Sequence, residues 1–441
     1  MQVQKFGGTS VGSPQRMQEV AQLISDGQSK IVVLSAVSGT TNKLVILASH
    51  LLREERQMAR AKLAALRAEY LNFITTLFPD EQDRKEALEQ IEYNFRIIEG
   101  LTRKYFSPIE EKIMLAQGEL ISTQLFQLYL QSQGTPACLL PALEFMRINE
   151  NNDPDLPFLA EELSLLIEEN PGFKYYITQG YICRNAYDNI DNLKRGGSDY
   201  TATLIGAALG ANEIQIWTDI DGIHNNDPRI VNTTFPIRSL SYREAAELAY
   251  FGAKILHPTC VIPAEGSSVP IRLKNTFSPE APGTLISEKS SGRDITALAA
   301  KDGIIAIKIR SGRMLNAYGF LRKVFEVFEQ FKTPIDMITT SEVSVSLTID
   351  DETYLEAIIG ALESFGEVSY ETGQTIVCIV GDSLSENSGY TRQIFTALEN
   401  IPIRMVSYGG SKNNISILLN SDYKRDALQM LHQHLFEEIV V

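Results

Sequence analysis

At 441 residues the chain is about two to four times the length of one ordinary domain, so two or three compact units are expected and a single small binding module is excluded. Its 44% hydrophobic and 22% charged residues are those of a globular protein, not of a disordered, collagen-like or coiled-coil chain. Forty basic and 55 acidic residues give a net charge of −15, which argues against partners that need a broad basic surface, nucleic acid and anionic membrane alike; an anionic ligand must meet local positive charge.

Residues 2–4 open as a strand that leads into Lys5-Phe6-Gly7-Gly8-Thr9-Ser10. Met17, Val20, Ala21, Leu23 and Ile24 then recur at helical spacing before the apolar run 31–34, a β-loop-α-β opening. A loop over 35–41 follows, then one long helical stretch to about Leu77 and further helices over 81–104 and 109–132. Short β-type runs at Ala137–Leu140, 175–178 and 214–217 alternate with helical patterns, as in a sheet with helices on both faces. The four cysteines, Cys138, Cys183, Cys260 and Cys378, form no C-x-x-C pair or zinc-type cluster and read as buried free thiols. With no run of eighteen apolar residues and no signal-like start, a soluble, reducing, cytoplasmic setting is expected.

From about Asp294 the pattern shifts to shorter units that repeat. Gly319 and Gly389, Phe325 and Phe395, Ser346 and Ser416, and Ala357 and Ala427 are each 70 apart. Around them both stretches read strand, helix, β run, β run, helix, with 304–309 set against 375–380 and 320–331 against 391–398, which predicts a duplicated α+β unit.

Three clusters carry chemistry. Gly7-Gly8-Thr9-Ser10 at the end of a strand lets backbone N–H groups approach a phosphate, with Lys5 beside it to neutralise charge; it is neither a Walker loop nor a dinucleotide fingerprint. Arg195-Gly196-Gly197-Ser198-Asp199 precedes a small-residue helix over 200–210, and Arg195 offers a planar fork for a carboxylate. Trp217-Thr218-Asp219-Ile220-Asp221-Gly222 ends a strand and is followed by Asp227-Pro228-Arg229. Taken singly, each reads first as an ordinary turn or helix start, Lys254 as a surface lysine and His257 as a structural residue.

In this order and at these separations, residues 5–10, 35–42, Gly118-Glu119, 195–199, 218–229 and 254–258 closely resemble aspartokinase of the amino-acid kinase superfamily. The tail resembles that family's paired ACT domains, and Ile338-Thr339-Thr340-Ser341-Glu342-Val343-Ser344-Val345 is similar to its lysine-sensitive branch. The resemblance implies a three-layer α/β/α amino-acid-kinase sandwich over 1–290. Two ferredoxin-like α+β ACT units follow over 291–441, near 303–370 and 373–441, with interleaving allowed. It further implies ATP-dependent phosphorylation of the L-aspartate side-chain carboxylate to 4-phospho-L-aspartate, the first step toward lysine, threonine and methionine. A monofunctional chain without an attached homoserine dehydrogenase is expected.

By the same resemblance Lys5 contacts the transferred phosphoryl group, Asp199 orients it, and Gly7, Gly8 and Thr9 touch phosphate. Arg195 and Glu119 hold the α-carboxylate and ammonium of aspartate, with Thr41 and Ser198 completing the pocket. Thr218, Asp219, His224, Arg229, Lys254 and Ile255 fall where the family binds ATP, with His224 in place of its usual tyrosine. Magnesium is expected with the phosphates, without a protein ligand motif. Asp336 and Glu342, retained only in the first repeat, suit a ligand with two ammonium groups. Together with Met314, Gly319, Phe320, Leu321, Thr340 and Ser341 they make L-lysine the expected inhibitor, Ala317 departing from a common serine. A homodimer paired through its ACT units is implied. The competing readings are a catalytically silent amino-acid sensor, opposed by the retention of Lys5, Glu119, Arg195 and Asp199, and a kinase of glutamate or acetylglutamate, opposed by the ACT pair and the 195–199 segment.

Overall fold

The structure is a computed structural model of the chain, and it describes all residues except 194–195, 253–255, 291, 315–317, 385, 387 and 438–441. Two compact units divide it: Met1–Ile223 with Arg238–Tyr242 and Ile255–Lys289, and His224–Ile237 with Arg243–Lys254 and Ser290–Val441. The division is discontinuous where a single boundary near 290 was expected. The reason is local bonding: the Leu298 N–H donates to the Asn225 carbonyl (2.9 Å), Asn226 Nδ2 to the Leu428 carbonyl (3.1 Å), and Thr296 Oγ1 to Glu244 (2.7 Å).

The first unit carries strands β1 (Gln2–Phe6), β2 (Lys30–Leu34), β3 (Ala137–Leu140), β4 (Tyr175–Gln179), the separate hairpin β5 (Ile182–Arg184) and β6 (Ile190–Asn192), then β7 (Ile214–Thr218), β8 (Ser239–Ser241), β9 (Ile271–Asn275) and β10 (Thr284–Ser287). Eight of them form one sheet in the order β3-β4-β2-β1-β7-β9-β10-β8, parallel except between β9 and β10. All five residues of β2 are buried, the signature of a parallel strand covered on both faces.

The helices are α1 (Pro14–Ile24), α2 (Thr40–Leu52), α3 (Arg56–Leu77), α4 (Glu81–Leu101), α5 (Pro108–Ser132), α6 (Ala142–Phe145), α7 (Leu156–Glu169), α8 (Gly197–Ala208), α9 (Tyr242–Tyr250), which starts at the end of a first-unit segment, and α10 (Pro258–Ser267). The single long helix expected up to Leu77 is two: the backbone turns at Glu54, a non-glycine residue at φ 62°, which no Gly or Pro announces. α5 starts at a capping box of Ser107 and Glu110 and is buried nearly all round along its second half, so it is a central helix and not a surface one. Its Gly118 lies close to the turn after β2, since a Cβ there would meet Ala36 Cβ at 3.0 Å.

The second unit contains the two copies read from the 70-residue spacing. The first is β11 (Ala297–Arg310), α11 (Phe320–Gln330), β12 (Ile338–Thr340), β13 (Ser344–Ile349) and α12 (Leu355–Leu362). The second is β14 (Glu367–Val380), α13 (Tyr390–Ala397), β15 (Met405–Tyr408), β16 (Asn414–Asn420) and α14 (Lys424–His432). Gly319 and Gly389 cap the equivalent helices at φ 77° and 103°, and Phe325 and Phe395 are both about two-fifths exposed. The strands make one antiparallel sheet, β12-β13-β11-β14-β16-β15, with the two long strands side by side at its centre. The copies interleave: Leu298 at the start of β11 packs into the second copy's core, and Val368 at the start of β14 packs against the first copy's core.

Candidate functional site

A cleft of about 440 Å³ opens in the first unit where β1, β2 and β4 end. It is lined by Gly8 and Thr9 after β1, the 35–42 turn after β2, Tyr181 after β4, Gly197 and Ser198 of α8, and Glu119 of α5. Ligand clefts in open parallel sheets lie at such carboxyl ends because the turns there aim helix N-termini inward. Two helices do so here. α2 and α8 begin at Gly39 and Gly196, both left-handed (φ 79° and 80°), and neither N-terminus is capped by a side chain; the Thr40 N–H donates to the Val37 carbonyl (3.0 Å) and the Asp199 N–H to the Gly196 carbonyl (2.9 Å), and the partial positive charge of both first turns suits an anion.

Lys5 lies inside β1, and its ammonium is 2.6 Å from Asp199 Oδ1; both side chains are mostly buried. A Cβ on Gly7 would stand 3.4 Å from Lys5 Nζ, and one on Gly8 3.0 Å from the Ala36 carbonyl, so the glycine pair holds lysine and turn close together. Ser35 donates to Ser198 Oγ (2.9 Å), and Ser122 donates to the Ser35 carbonyl (2.8 Å), tying α5, the β2 turn and α8 into one frame.

Glu119 is 3% exposed. Its Oε1 accepts from the Ala36 N–H at 3.3 Å, while its buried Oε2 has no hydrogen-bond partner among the described residues. Burial outweighs the backbone N–H groups of Ala36 and of Glu119 itself and pushes its carboxyl up to about 8. Tyr181 is pushed up to about 12 by burial, with the Glu119 and Asp191 carboxylates adding to it, and at φ 68° it occupies a backbone region costly for a bulky side chain. The structure therefore brings Lys5, Gly7, Gly8, Thr9, Thr41, Glu119, Ser198 and Asp199 to one end of the sheet. Arg195, Lys254 and Ile255 lie outside the described residues. Tyr181, Ser35 and Ser38 were not singled out as site residues; the Gln179-Gly180-Tyr181 step after β4 was the available signal for the first.

Of the remaining nucleotide-type residues, Thr218 donates to Asp219 Oδ1 (3.1 Å) in the first unit. His224 and Arg229 belong to the second unit. There His224 Nδ1 is 3.0 Å from Thr234 Oγ1, and the exposed Arg229 guanidinium is held by Asp227 at 2.7 Å. His257 accepts from the Thr259 N–H (3.3 Å) and caps α10, a structural role. All four cysteines are free and buried. A smaller cavity of about 210 Å³ beside Asp83 and Glu86 has the wrong charge for an anionic ligand.

In the second unit Met314 and Phe320 pack against the first copy's core, Gly319 caps α11, and Leu321, Thr340, Ser341 and Glu342 are exposed. Asp336 is not solvated: its side chain is 1% exposed and its Oδ1 is 2.7 Å from Lys301 Nζ. Ala317 lies outside the described residues. Among the described residues no three His, Cys, Asp or Glu side chains converge as a metal cage, and no helix is long and apolar enough to cross a membrane.

Residues 1–275 match the model of the amino acid kinase family, and residues 307–364 and 377–435 each match that of an ACT domain. The chain is 36% identical to the lysine-sensitive aspartokinase 3 of Escherichia coli (strain K12), over 99% of both proteins. The crystal structure of E. coli aspartokinase III in complex with aspartate and ADP is similar with a TM-score of 0.85 at 35% identity, covering 99% of this chain and 100% of that one. Its complex with lysine and aspartate is similar with a TM-score of 0.80 at 36% identity, with the same coverage.

Proposed function

The chain belongs to the aspartokinase family, an amino acid kinase domain followed by two ACT domains, and on that premise we propose that it transfers the γ-phosphoryl group of ATP to the side-chain carboxylate of L-aspartate, giving 4-phospho-L-aspartate. The observation that carries this reading is the buried Glu119 Oε2, without a hydrogen-bond partner among the described residues, in a cleft that also presents the Gly8-Thr9 turn and two helix N-termini with no side-chain cap. One side of the cleft suits an amino acid's ammonium and the other a phosphate.

A carboxylate acceptor has a pKa near 4 and is ionised at neutral pH, so the site needs no general base. Its work is to align two anions and cancel their repulsion. In this reading Lys5 supplies the neutralising charge, and Asp199, 2.6 Å away, keeps the ammonium from pointing elsewhere. Thr41 and Ser198 shape the acceptor pocket, with Arg195 on its α-carboxylate. Thr218, Asp219, His224, Arg229, Lys254 and Ile255 are proposed nucleotide contacts. Magnesium would be held by phosphate oxygens, water and one or two carboxylates, so the lack of a converging His, Cys, Asp and Glu cage among the described residues is no obstacle to it, and when bound it would supply positive charge against the phosphates.

The solved relative whose complex holds lysine and aspartate supports L-lysine as the inhibitor; the residues proposed to receive it are Met314, Gly319, Phe320, Leu321, Asp336, Thr340, Ser341 and Glu342. The place in lysine, threonine and methionine synthesis, the cytoplasmic setting and a homodimer joined through ACT units belong to the same proposal. ATP-dependent acyl-hydroxamate formation tests it: product is expected with L-aspartate and not with L-glutamate, and Lys5→Ala is expected to lower kcat by about 10²- to 10³-fold. Activity with glutamate alone, or with neither, overturns it.

A further inference from the structure

The carboxylate proposed to receive the effector is already answered from within the chain. Asp336 Oδ1 accepts from both Lys301 Nζ and the Tyr250 hydroxyl, each at 2.7 Å. The same ammonium is 2.9 Å from Asp350 Oδ2 and lies 4.4 Å from the Tyr250 ring centroid, where the aromatic face attracts it further. Asp336 Oδ2, by contrast, is buried with no hydrogen-bond partner among the described residues.

The charge count matters more than the contacts. One ammonium between two carboxylates leaves this group of three at −1 while Asp336 is closed to water, an arrangement that low dielectric makes unfavourable. A second ammonium would cancel the excess and find an acceptor in Asp336 Oδ2. It would also meet Lys301, a like charge within a few ångströms.

We propose that Lys301 is an internal counter-cation that competes with the ammonium of the amino-acid effector for Asp336 and thereby sets the concentration at which the effector binds. In the ligand-free protein Lys301 keeps Asp336 tolerable in its buried place. An incoming ammonium must push Lys301 toward Asp350 and take Asp336 over. The exchange reaches beyond the pocket, because Tyr250 shares the contested oxygen. Gly252, two residues on at φ 120°, lies so close to β11 that a Cβ would collide with the Ala300 carbonyl, next to Lys301. The end of α9 is thus bound to both partners in the exchange.

This inference rests on the reading of L-lysine as effector, and calorimetric titration of L-lysine into the full-length protein separates the two. Wild-type protein that does not bind lysine overturns the effector reading. If it binds, Lys301→Met is expected to tighten the dissociation constant by at least about fivefold, the lower end of ordinary coupling energies, and Lys301→Arg to leave it within about twofold. Asp350→Asn, which leaves Lys301 only Asp336 as a carboxylate partner among the described residues, is expected to weaken binding by about fivefold. Unchanged or weaker binding by Lys301→Met means that Lys301 only supports the fold and overturns the proposal. Should that variant fail to fold, Asp350→Asn decides alone, and unchanged or tighter binding overturns it.

Discussion

Glu119 is a carboxylate kept in a place that disfavours its charge. Burial outweighs the backbone N–H groups of Ala36 and of Glu119 itself, and its carboxyl is pushed up to about 8. The folded protein therefore holds a proton there that the unfolded chain, with an ordinary Glu pKa near 4.3, gives up. The sign follows: this contribution to stability is full below the unfolded pKa and is lost as pH rises through about 8. Thermal melting of the ligand-free protein between pH 5 and 8.5 is expected to show that decline, and Glu119→Gln to flatten it. An ammonium against Oε2 restores the charged form, so aspartate binding near pH 7 should release a fraction of a proton, measurable by calorimetry in buffers of different ionisation enthalpy. With its charge gone, Glu119→Gln should raise the KM for aspartate about ten- to a hundredfold while changing kcat less, since a buried ion pair is broken.

Secondary-structure elements place these residues by approaching one another closely. Directly after β4, Gly180 lies so close to α8 that a Cβ there would collide with the Ser198 side chain. Gly180→Ala should therefore displace α8 from the cleft, lower the melting temperature by a ΔΔG of about 1–3 kcal/mol and raise the KM for aspartate. A change in neither would mean that α8 yields freely. In the second unit β11 serves two cores. Leu298 is 4% exposed in the second copy's core although it lies on the first copy's strand. Leu298→Ala is expected to cost about 2–5 kcal/mol in chemical denaturation, as for a central core leucine. A linear boundary between repeats would make it a tolerated edge position.

At the scale of the whole molecule, regulation has to be a difference in affinity between arrangements. If lysine inhibits by favouring a form that binds substrates poorly, then aspartate and ATP must weaken lysine binding by the same factor. Lysine titrations with and without saturating aspartate and a non-hydrolysable ATP analogue are expected to differ about fivefold or more, and equal affinities would remove allosteric coupling from the account. The proposed homodimer predicts twice the 49.1 kDa chain mass by sedimentation equilibrium.

Local pattern was enough for much of this. The strand at Ala137–Leu140, the parallel core run of β2, the glycine turns and the 70-residue repeat are all carried by hydrophobic period and turn chemistry, which neighbouring residues specify. Other features have no local signal. The break between α2 and α3 falls at Glu54 and the turn into the cleft at Tyr181, both left-handed without glycine, held there by surrounding structure. Segments 224–237 and 243–254 join a unit built mostly from sequence further on. Lys301 meets Asp336 across 35 residues, and Glu119 loses its water only when α5 packs beneath the β2 turn. The amino-acid order by itself determined which side chains were available and on which turns. Their ionisation and their partners were decided by the tertiary structure, because desolvation and ion pairing depend on what long-range packing brings within a few ångströms.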